Sequence, residues 1–212
     1  MYPAPWRSKR VRVPVLVTLG TRQNGERVVL DLRIAGDESG AAWGEVIDSL
    51  LKRQIGVPAL AVIDGGPGLA TALEKRWKRI EIQRCTTHKL RNLLAKAPVR
   101  MREELAEDYR RMIYADDAKT VAEQRASFRK KWRLKCAAVV DSLDEAGEHL
   151  FTFTKFPSSQ WKALRTTNAI ERINEEFRRR TKTQASLPGE EAVLLMYGLL
   201  RSGHIRLRHM VG

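Results

Sequence analysis

The chain has 212 residues, of which 43% are hydrophobic, and a formal net charge of +14. This size suits one domain, or one domain with an insertion. No run of about 18 apolar residues and no signal-peptide pattern is present, so we expect neither a membrane-spanning nor a secreted protein. Two cysteines, Cys85 and Cys136, are too few for a disulfide framework, which favours a reducing, cytoplasmic location.

The positive charge is densest in two segments. The first, beside Trp6, contains Arg7, Lys9, Arg10 and Arg12. The second contains Arg165, Arg172, Arg178, Arg179, Arg180 and Lys182. Clustered basic side chains neutralise phosphates and release their counterions, so we expect nucleic acid as a partner. A highly charged soluble surface without such a ligand is the alternative.

The first predicted elements are a hairpin and a helix. Residues 11–19 and 27–34 are rich in β-branched side chains and flank an Asn24-Gly25 turn signal, which predicts two antiparallel strands. Pro14 predicts an edge position or a bulge in the first strand. Ser39 suits the cap of a helix that ends near residue 54.

Two further strands and two helices are predicted next. Residues 60–63 form the apolar run typical of a buried parallel strand. Pro67 suits the first residue of a helix that ends near residue 77. A short strand at 80–82 and a helix at 87–96 follow. This order, β-β-α-β-α-β-α, predicts an α/β fold with a mixed sheet.

The remainder of the chain is predicted to be helical. Strand signals vanish from 98 to 160, where apolar residues recur at helical spacing and predict three or four helices. Helices at 167–181 and 189–200 follow, and we expect the tail after them to fray. We therefore divide the chain into residues 1–97, a helical insertion at 98–160, and C-terminal helices at 161–212.

Two acidic residues are candidates for catalysis. Asp64 directly follows the strand at 60–63, the position where an open α/β sheet carries its chemistry, and a carboxylate suits Mg²⁺. An Asx-turn that caps the following glycines explains Asp64 equally well. Glu171 is the second candidate. Taken alone, it fits better as the glutamate of a capping box, three positions after the cap residue Asn168.

Cys85 and His88 form half of a conceivable zinc site. A full site needs four ligands, usually as two close pairs. Cys136 and His149 are poorly spaced to complete it, so we do not expect structural zinc. The alternative is a semi-buried cysteine and a hydrogen-bonded histidine near the start of a helix.

The basic run at 178–182 is a candidate for binding DNA. Guanidinium groups grip phosphates through paired hydrogen bonds. The alternative is a solvated helix end, where basic side chains also interact favourably with the helix dipole.

Three segments carry a resemblance to the mutator-type family of bacterial transposases, which belong to the DDE transposases with an RNase H-like core. They are VPVLVTLGTRQNGERVVLDLRIAGDESGAAWGEVIDSLLKRQ, VIDGGPGLATALEKRW with QRCTTHKLRNLLAK, and TTNAIERINEEFRRRTK. The resemblance implies that Asp64 matches the second acid of the catalytic triad and Glu171 its glutamate. Cys85 and His88 match a Cys-x-x-His of unclear role, and residues 98–160 match the family's helical insertion.

The resemblance implies metal-dependent cleavage of DNA at insertion-sequence ends and strand transfer into target DNA. It also implies Mg²⁺ or Mn²⁺ as the metal and a homo-oligomer as the active assembly. The family's first catalytic aspartate lies on a strand directly before the hairpin, and the only acid among residues 1–30 is Glu26. We therefore expect the first core strand to be missing and this chain to be the C-terminal part of a transposase with little activity. The alternative is a non-catalytic DNA-binding remnant, or an inhibitor of an intact transposase.

Overall fold

The computed structural model describes residues 14–181 and 189–210. The first basic segment and Lys182 lie outside these ranges. None of the helices in these ranges combines the length and apolar character needed to cross a bilayer.

The described part of the chain begins with the predicted hairpin. Strands β1 (Val15–Thr21) and β2 (Arg27–Ile34) pair antiparallel. The register shifts between Thr18 and Leu19, so β1 contains an irregularity of the β-bulge type. Pro14 precedes the strand, where its missing amide hydrogen interrupts no ladder.

A parallel pair of strands with two helices follows. Helix α1 (Gly40–Lys52) leads to β3 (Leu60–Ile63), and helix α2 (Pro67–Arg76) connects β3 to the parallel strand β4 (Glu81–Arg84). The predicted cap of α1 is confirmed, because the Ser39 hydroxyl accepts a hydrogen bond from the Ala42 amide at 3.2 Å.

The described strands form two separate two-stranded sheets, one antiparallel and one parallel. The predicted mixture of strands and helices is therefore confirmed, whereas the prediction of one continuous mixed sheet is wrong for the described residues. The sequence pattern identified the strands and the hairpin pairing correctly, but it did not show whether the hairpin and the later strands share one sheet, because that arrangement depends on tertiary contacts.

Helices α1 and α2 pack together over the parallel pair. Their shared core contains Ile47, Leu50, Ile63, Ala72, Leu73, Trp77 and Ile82. Complete burial of one large apolar side chain contributes about 1.5–3 kcal/mol. The two helix starts touch, since a β-carbon on Gly68 would lie 2.8 Å from the Gly40 nitrogen. At this crossing, only a residue without a side chain fits.

Four helices build a second core. They are α3 (Thr86–Lys96), α4 (Arg102–Ile113), α5 (Ala118–Lys135) and α6 (Ala137–Ala146). The prediction of helices between 98 and 160 is therefore confirmed. The large buried side chains of this core include Leu93, Leu105, Tyr109, Met112, Ile113, Phe128, Trp132 and Leu143.

Strand β4 is part of the parallel sheet and also contacts the helical core. Gln83 is fully buried on β4, and its side-chain amide donates to the Leu150 carbonyl at 2.8 Å. Its side-chain oxygen accepts from the Phe153 amide at 2.7 Å. Leu150 and Phe153 lie in the short 3₁₀ turns that follow α6. Because a buried amide requires partners for both ends, Gln83 fixes these turns against the strand.

The last helices are α7 (Trp161–Leu164), α8 (Asn168–Thr181) and α9 (Gly189–Arg201). The predicted fraying of the tail is wrong for the described residues. Ile205 is buried in a small core against β1 and α9, and the Met210 amide donates to the Gly25 carbonyl at 2.9 Å. The tail thus returns to the hairpin turn.

An ion pair between a buried lysine and a largely exposed glutamate ties α3 to α6. The Lys89 ammonium, in a residue only 2% exposed, donates to the Ser142 carbonyl at 2.8 Å and to Glu145 at 2.7 Å. Arg84 binds the other Glu145 oxygen at 2.9 Å. Hydrogen bonds from Arg84 and Lys89 lower the pKa of Glu145 from 4.5 to about 2.

Glu145→Gln is expected to reduce stability because it leaves the Lys89 charge buried and partly unpaired. We expect a loss of about 1–2 kcal/mol at neutral pH, since the carboxylate itself is largely exposed. A carboxyl with a lowered folded-state pKa stabilises the fold above pH 4.5, and this contribution is lost as the pH falls toward 2. Urea unfolding at several pH values measures both effects.

The matched control is Glu148→Gln, which removes an exposed pair with Arg125 and should change stability by less than about 0.5 kcal/mol. Equal unfolding free energies for wild type and Glu145→Gln between pH 3 and 7 would contradict the prediction.

Candidate active site

The parallel strands end side by side, and each is followed by a residue that the sequence singled out. Asp64 follows β3 and Cys85 follows β4. The Cys85 amide donates to the Ile63 carbonyl at 2.7 Å, which brings both strand ends to one edge of the sheet. This is the edge where open α/β sheets bind ligands.

Asp64 is exposed at this edge. Its Oδ1 accepts a hydrogen bond from the Gly66 amide at 3.0 Å, so the predicted Asx-turn is confirmed. In the described part of the chain, the other carboxylate oxygen makes no hydrogen bond and faces no basic partner. The turn therefore orients Asp64 while leaving one oxygen available to a ligand.

Gly65 permits this turn. Its φ of +104° is one that side chains rarely adopt, and a β-carbon there would overlap the Arg84 guanidinium. Arg84 is itself held by Glu145. The loop that carries Asp64 is consequently pressed against a fixed arginine.

The segment before α8 is anchored at the start of α3. The Thr86 amide and hydroxyl donate to the Arg165 carbonyl at 2.9 and 3.1 Å. The buried Arg165 guanidinium donates to the Ile113 carbonyl at 2.6 Å and stacks 4.4 Å from the centre of the Tyr114 ring. Burial lowers the pKa of Arg165. These contacts fix where α8 begins.

The first turn of α8 reaches the Cys-x-x-His segment. The Thr167 amide and hydroxyl both lie 3.4 Å from the Cys85 sulfur. His88 Nδ1 lies 3.4 Å from Glu171 Oε1. We name Cys85, His88 and Glu171 the CHE cluster, because their ligand atoms all lie within 4.8 Å of one another. Among the described residues, Asp64 is not part of this group.

The Glu171 carboxylate faces α3 and makes no capping-box contact within the described chain. Its Oε2 lies 3.5 Å from the Arg91 guanidinium. The Thr167 carbonyl, one residue before the helix, accepts from the amides of Ile170 and Glu171 at 2.9 and 3.2 Å. The predicted capping box with Asn168 is therefore wrong, because α3 offers the carboxylate a histidine and an arginine.

Sequence reasoning missed Arg91 and Thr167. Both had a detectable signal. Cys85, His88 and Arg91 recur every third residue, which places them on one side of the start of α3. Thr167 precedes Glu171 by four residues, the spacing of neighbours on a helix face.

The arginines of α8 divide into two pairs. Arg179 and Arg180 both bind Glu176, and hydrogen bonds from Arg180 and Arg179 lower the pKa of that carboxyl. Arg172 and Arg178 are exposed, and no acidic partner for them occurs in the described ranges. These two are therefore the stronger candidates for phosphate contacts.

Cys136 and His149 lie elsewhere. The Cys136 sulfur is 3.6 Å from the Lys96 carbonyl, between α5 and α6. His149 lies in a 3₁₀ turn after α6. Neither is a member of the CHE cluster.

Sequence comparison shows the family. The family model described as "Transposase, Mutator family" matches residues 6–206. The chain therefore belongs to the mutator family of transposases.

Its relatives are transposases of bacterial insertion sequences. The chain is 31% identical over 177 residues to the transposase for IS905 of Lactococcus lactis, covering 84% of this chain and 45% of the relative. It is 28% identical over 188 residues to the transposase for IS1201 of Lactobacillus helveticus, covering 89% and 51%. It is 30% identical over 200 residues to the transposase for IS6120 of Mycolicibacterium smegmatis, covering 92% and 60%. The chain spans about half the length of the first two of these relatives.

Gly65→Ala should destabilise the loop that carries Asp64. The new β-carbon suffers both the unfavourable φ and the overlap with Arg84. Gly147→Ala is the matched control, since Gly147 also has a positive φ, of +55°, but open space around its β-carbon position. We expect the control to lose about 1–2 kcal/mol of unfolding free energy and Gly65→Ala to lose at least about 1 kcal/mol more. Thermal or urea unfolding measures both. Equal losses would show that the Arg84 contact does not constrain this loop.

Proposed function

We propose that this chain carries two catalytic carboxylates, Asp64 and Glu171, of a DNA transposase. The reaction is metal-dependent cleavage at insertion-sequence ends, followed by strand transfer into target DNA by a homo-oligomer. One observation carries the proposal. Cys85 is hydrogen-bonded to Ile63, which directly precedes Asp64, and to Thr167, which directly precedes the helix that carries Glu171. Two acids far apart in sequence are thereby attached to one sheet edge.

The donor set suits a hard divalent cation. Asp64 is exposed with one oxygen available, and the Glu171 side chain is 28% exposed. Carboxylate oxygens are the ligands that Mg²⁺ and Mn²⁺ prefer. Asp64 and Glu171 would hold the ion, which when bound activates the attacking oxygen and stabilises the leaving oxygen of the phosphodiester.

The surrounding residues orient these acids. The Gly66 amide holds one oxygen of Asp64, and the Arg91 guanidinium lies beside Oε2 of Glu171. Arg91 reduces repulsion between the carboxylate and an approaching DNA phosphate. Arg172 and Arg178 supply positive charge along the same helix and would hold the DNA backbone.

We propose that the two small sheets belong to one RNase H-like core. Helix α8 supports this, because it contacts both. Its Ile173 packs in one apolar cluster with Val17 of β1, while Thr167 at its start contacts Cys85 at the end of β4. Residues 1–97 and 161–212 would form the core, with residues 98–160 as a helical insertion.

Asp64→Asn and Glu171→Gln should each abolish cleavage while sparing DNA binding. Loss of a positioned metal removes several kcal/mol of transition-state stabilisation, so we expect a fall in rate of at least about 100-fold. The assay uses the protein encoded by the complete reading frame that contains this chain, with Mg²⁺ or Mn²⁺ and a plasmid carrying the element's ends. DNA affinity should stay within about twofold, because each change removes one negative charge.

Glu175→Gln is the matched control. It removes an exposed carboxylate one turn beyond Glu171 and should leave cleavage unchanged. Full activity of Asp64→Asn would contradict the catalytic assignment. DNA binding by the wild-type protein without any metal-dependent cleavage would favour the non-catalytic, DNA-binding alternative.

The double variant Arg172→Ala and Arg178→Ala should weaken DNA binding most at low salt. Each lost phosphate contact lowers the slope of log affinity against log salt by about 0.9, so the slope should fall by about 2. Arg133→Ala is the control, because Arg133 is already paired with Asp141 on the helical insertion. Fluorescence anisotropy with labelled duplex DNA measures the slopes, and equal slopes for the double variant and wild type would exclude this surface as the contact.

A further inference from the structure

The CHE cluster combines a thiol, an imidazole and a carboxylate. We propose that it binds a divalent cation of the zinc class through Cys85 Sγ, His88 Nδ1 and Glu171 Oε1. Spacing along the sequence offered Cys85 and His88 no convincing further ligands. The structure brings Glu171 to them from another helix. This grouping is a geometric observation that does not depend on any transposase activity.

Four of the six distances among Cys85 Sγ, His88 Nδ1, Glu171 Oε1 and Thr167 Oγ1 approach those of a tetrahedral site, and the two others, from the sulfur to the nitrogen and to the carboxylate oxygen, are at most 4.8 Å. Thr167 Oγ1 lies 3.4 Å from Cys85 Sγ, 3.5 Å from His88 Nδ1 and 3.5 Å from Glu171 Oε1. The histidine and glutamate atoms are 3.4 Å apart. A regular tetrahedron with edges of about 3.5 Å has its centre about 2.1 Å from each corner, close to zinc–nitrogen and zinc–oxygen bond lengths. The fourth corner falls to the Thr167 hydroxyl or to a water that replaces it.

Hydrogen bonding alone satisfies this cluster poorly. The Thr167 hydroxyl has one hydrogen to share among the sulfur, the imidazole nitrogen and the carboxylate oxygen. Its contacts with nitrogen and oxygen, both 3.5 Å, are long for hydrogen bonds from a hydroxyl. The imidazole nitrogen, the carboxylate oxygen and the hydroxyl oxygen therefore converge beside the sulfur without a short hydrogen bond among them. A cation between the sulfur, the nitrogen and the carboxylate oxygen would bind all three at once.

The ligands are held in place before any ion arrives. The Cys85 amide donates to Ile63, and the Cys85 carbonyl accepts from the Lys89 amide at 3.0 Å. Arg91 lies beside the second Glu171 oxygen. Cys85 is fully buried, whereas the His88 and Glu171 side chains are 31% and 28% exposed. An ion can therefore enter from the solvent side.

The mixed donor set determines which cations fit. Sulfur and imidazole favour zinc-class ions over Mg²⁺, which prefers oxygen. Coordination through sulfur releases the Cys85 thiol proton to solvent. The bound ion would use Oε1 of Glu171, and Oε2, beside Arg91, would stay available to the catalytic cation of the proposed function. It would also attach the start of α8 to the start of α3 through metal bonds.

Co²⁺ titration of the purified protein tests the site. Tetrahedral coordination with one sulfur gives visible d–d bands and a near-ultraviolet sulfur-to-cobalt charge-transfer band, and Zn²⁺ should remove both by displacement. Glu171→Gln, His88→Gln and Cys85→Ser should each weaken binding at least about 10-fold. Cys136→Ser is the matched control, since it removes the other thiol and should leave the spectrum unchanged.

A second measurement does not depend on colour. Zn²⁺ should raise the midpoint of thermal unfolding of wild type and Cys136→Ser, but not of Glu171→Gln. Because Cys85 is buried, the partly exposed His88 and Glu171 variants carry the main test, and circular dichroism verifies that they fold.

The proposal is overturned if wild type shows no charge-transfer band in excess Co²⁺. It is also overturned if the band survives in both Glu171→Gln and His88→Gln, or requires Cys136 instead of Cys85. These results are separate from the cleavage assay, in which Asp64→Asn tests transposition while leaving every residue of the CHE cluster intact.

Discussion

The site depends on how Cys85 joins two parts of the chain. Its amide donates a hydrogen bond to the Ile63 carbonyl at the end of β3, and its sulfur contacts Thr167, the residue directly before α8. Cys85 therefore connects the end of β3, the start of α3 and the segment that leads into α8. The neighbouring Arg165 carbonyl, which accepts from Thr86, provides a further attachment of this segment to the start of α3. The position of Glu171 therefore depends on the turn between β4 and α3 as well as on α8.

Most local elements were predictable because their signals are local. Apolar runs, the Ser39 cap and Pro67 define where strands and helices occur, and the structure agrees within a few residues. The arrangement of sheets was not predictable in this way, since edge pairing is decided by tertiary packing. The tail was mispredicted for the same reason: Ile205 has no local pattern, and its partners lie in β1 and α9.

The candidate site shows the same division. Asp64 could be singled out from its place after an apolar strand, and both interpretations of it remain compatible with the Asx-turn observed. For Glu171, a local capping box was the better interpretation until the structure placed His88 and Arg91 opposite it. These long-range partners thus changed the interpretation of Glu171, although its position in a helix was predicted correctly. Thr167 and Arg91 became recognisable as partners only through that contact.

Arg165 connects the helical region mechanically to Glu171. Its guanidinium is seated against the end of α4 at Ile113 and Tyr114, while its carbonyl is held by Thr86 at the start of α3. Arg165 therefore ties the end of α4 and the start of α3 to the segment that leads into α8, six positions before Glu171. The position of the carboxylate thus depends on the packing of the helical region as well as on the parallel strands.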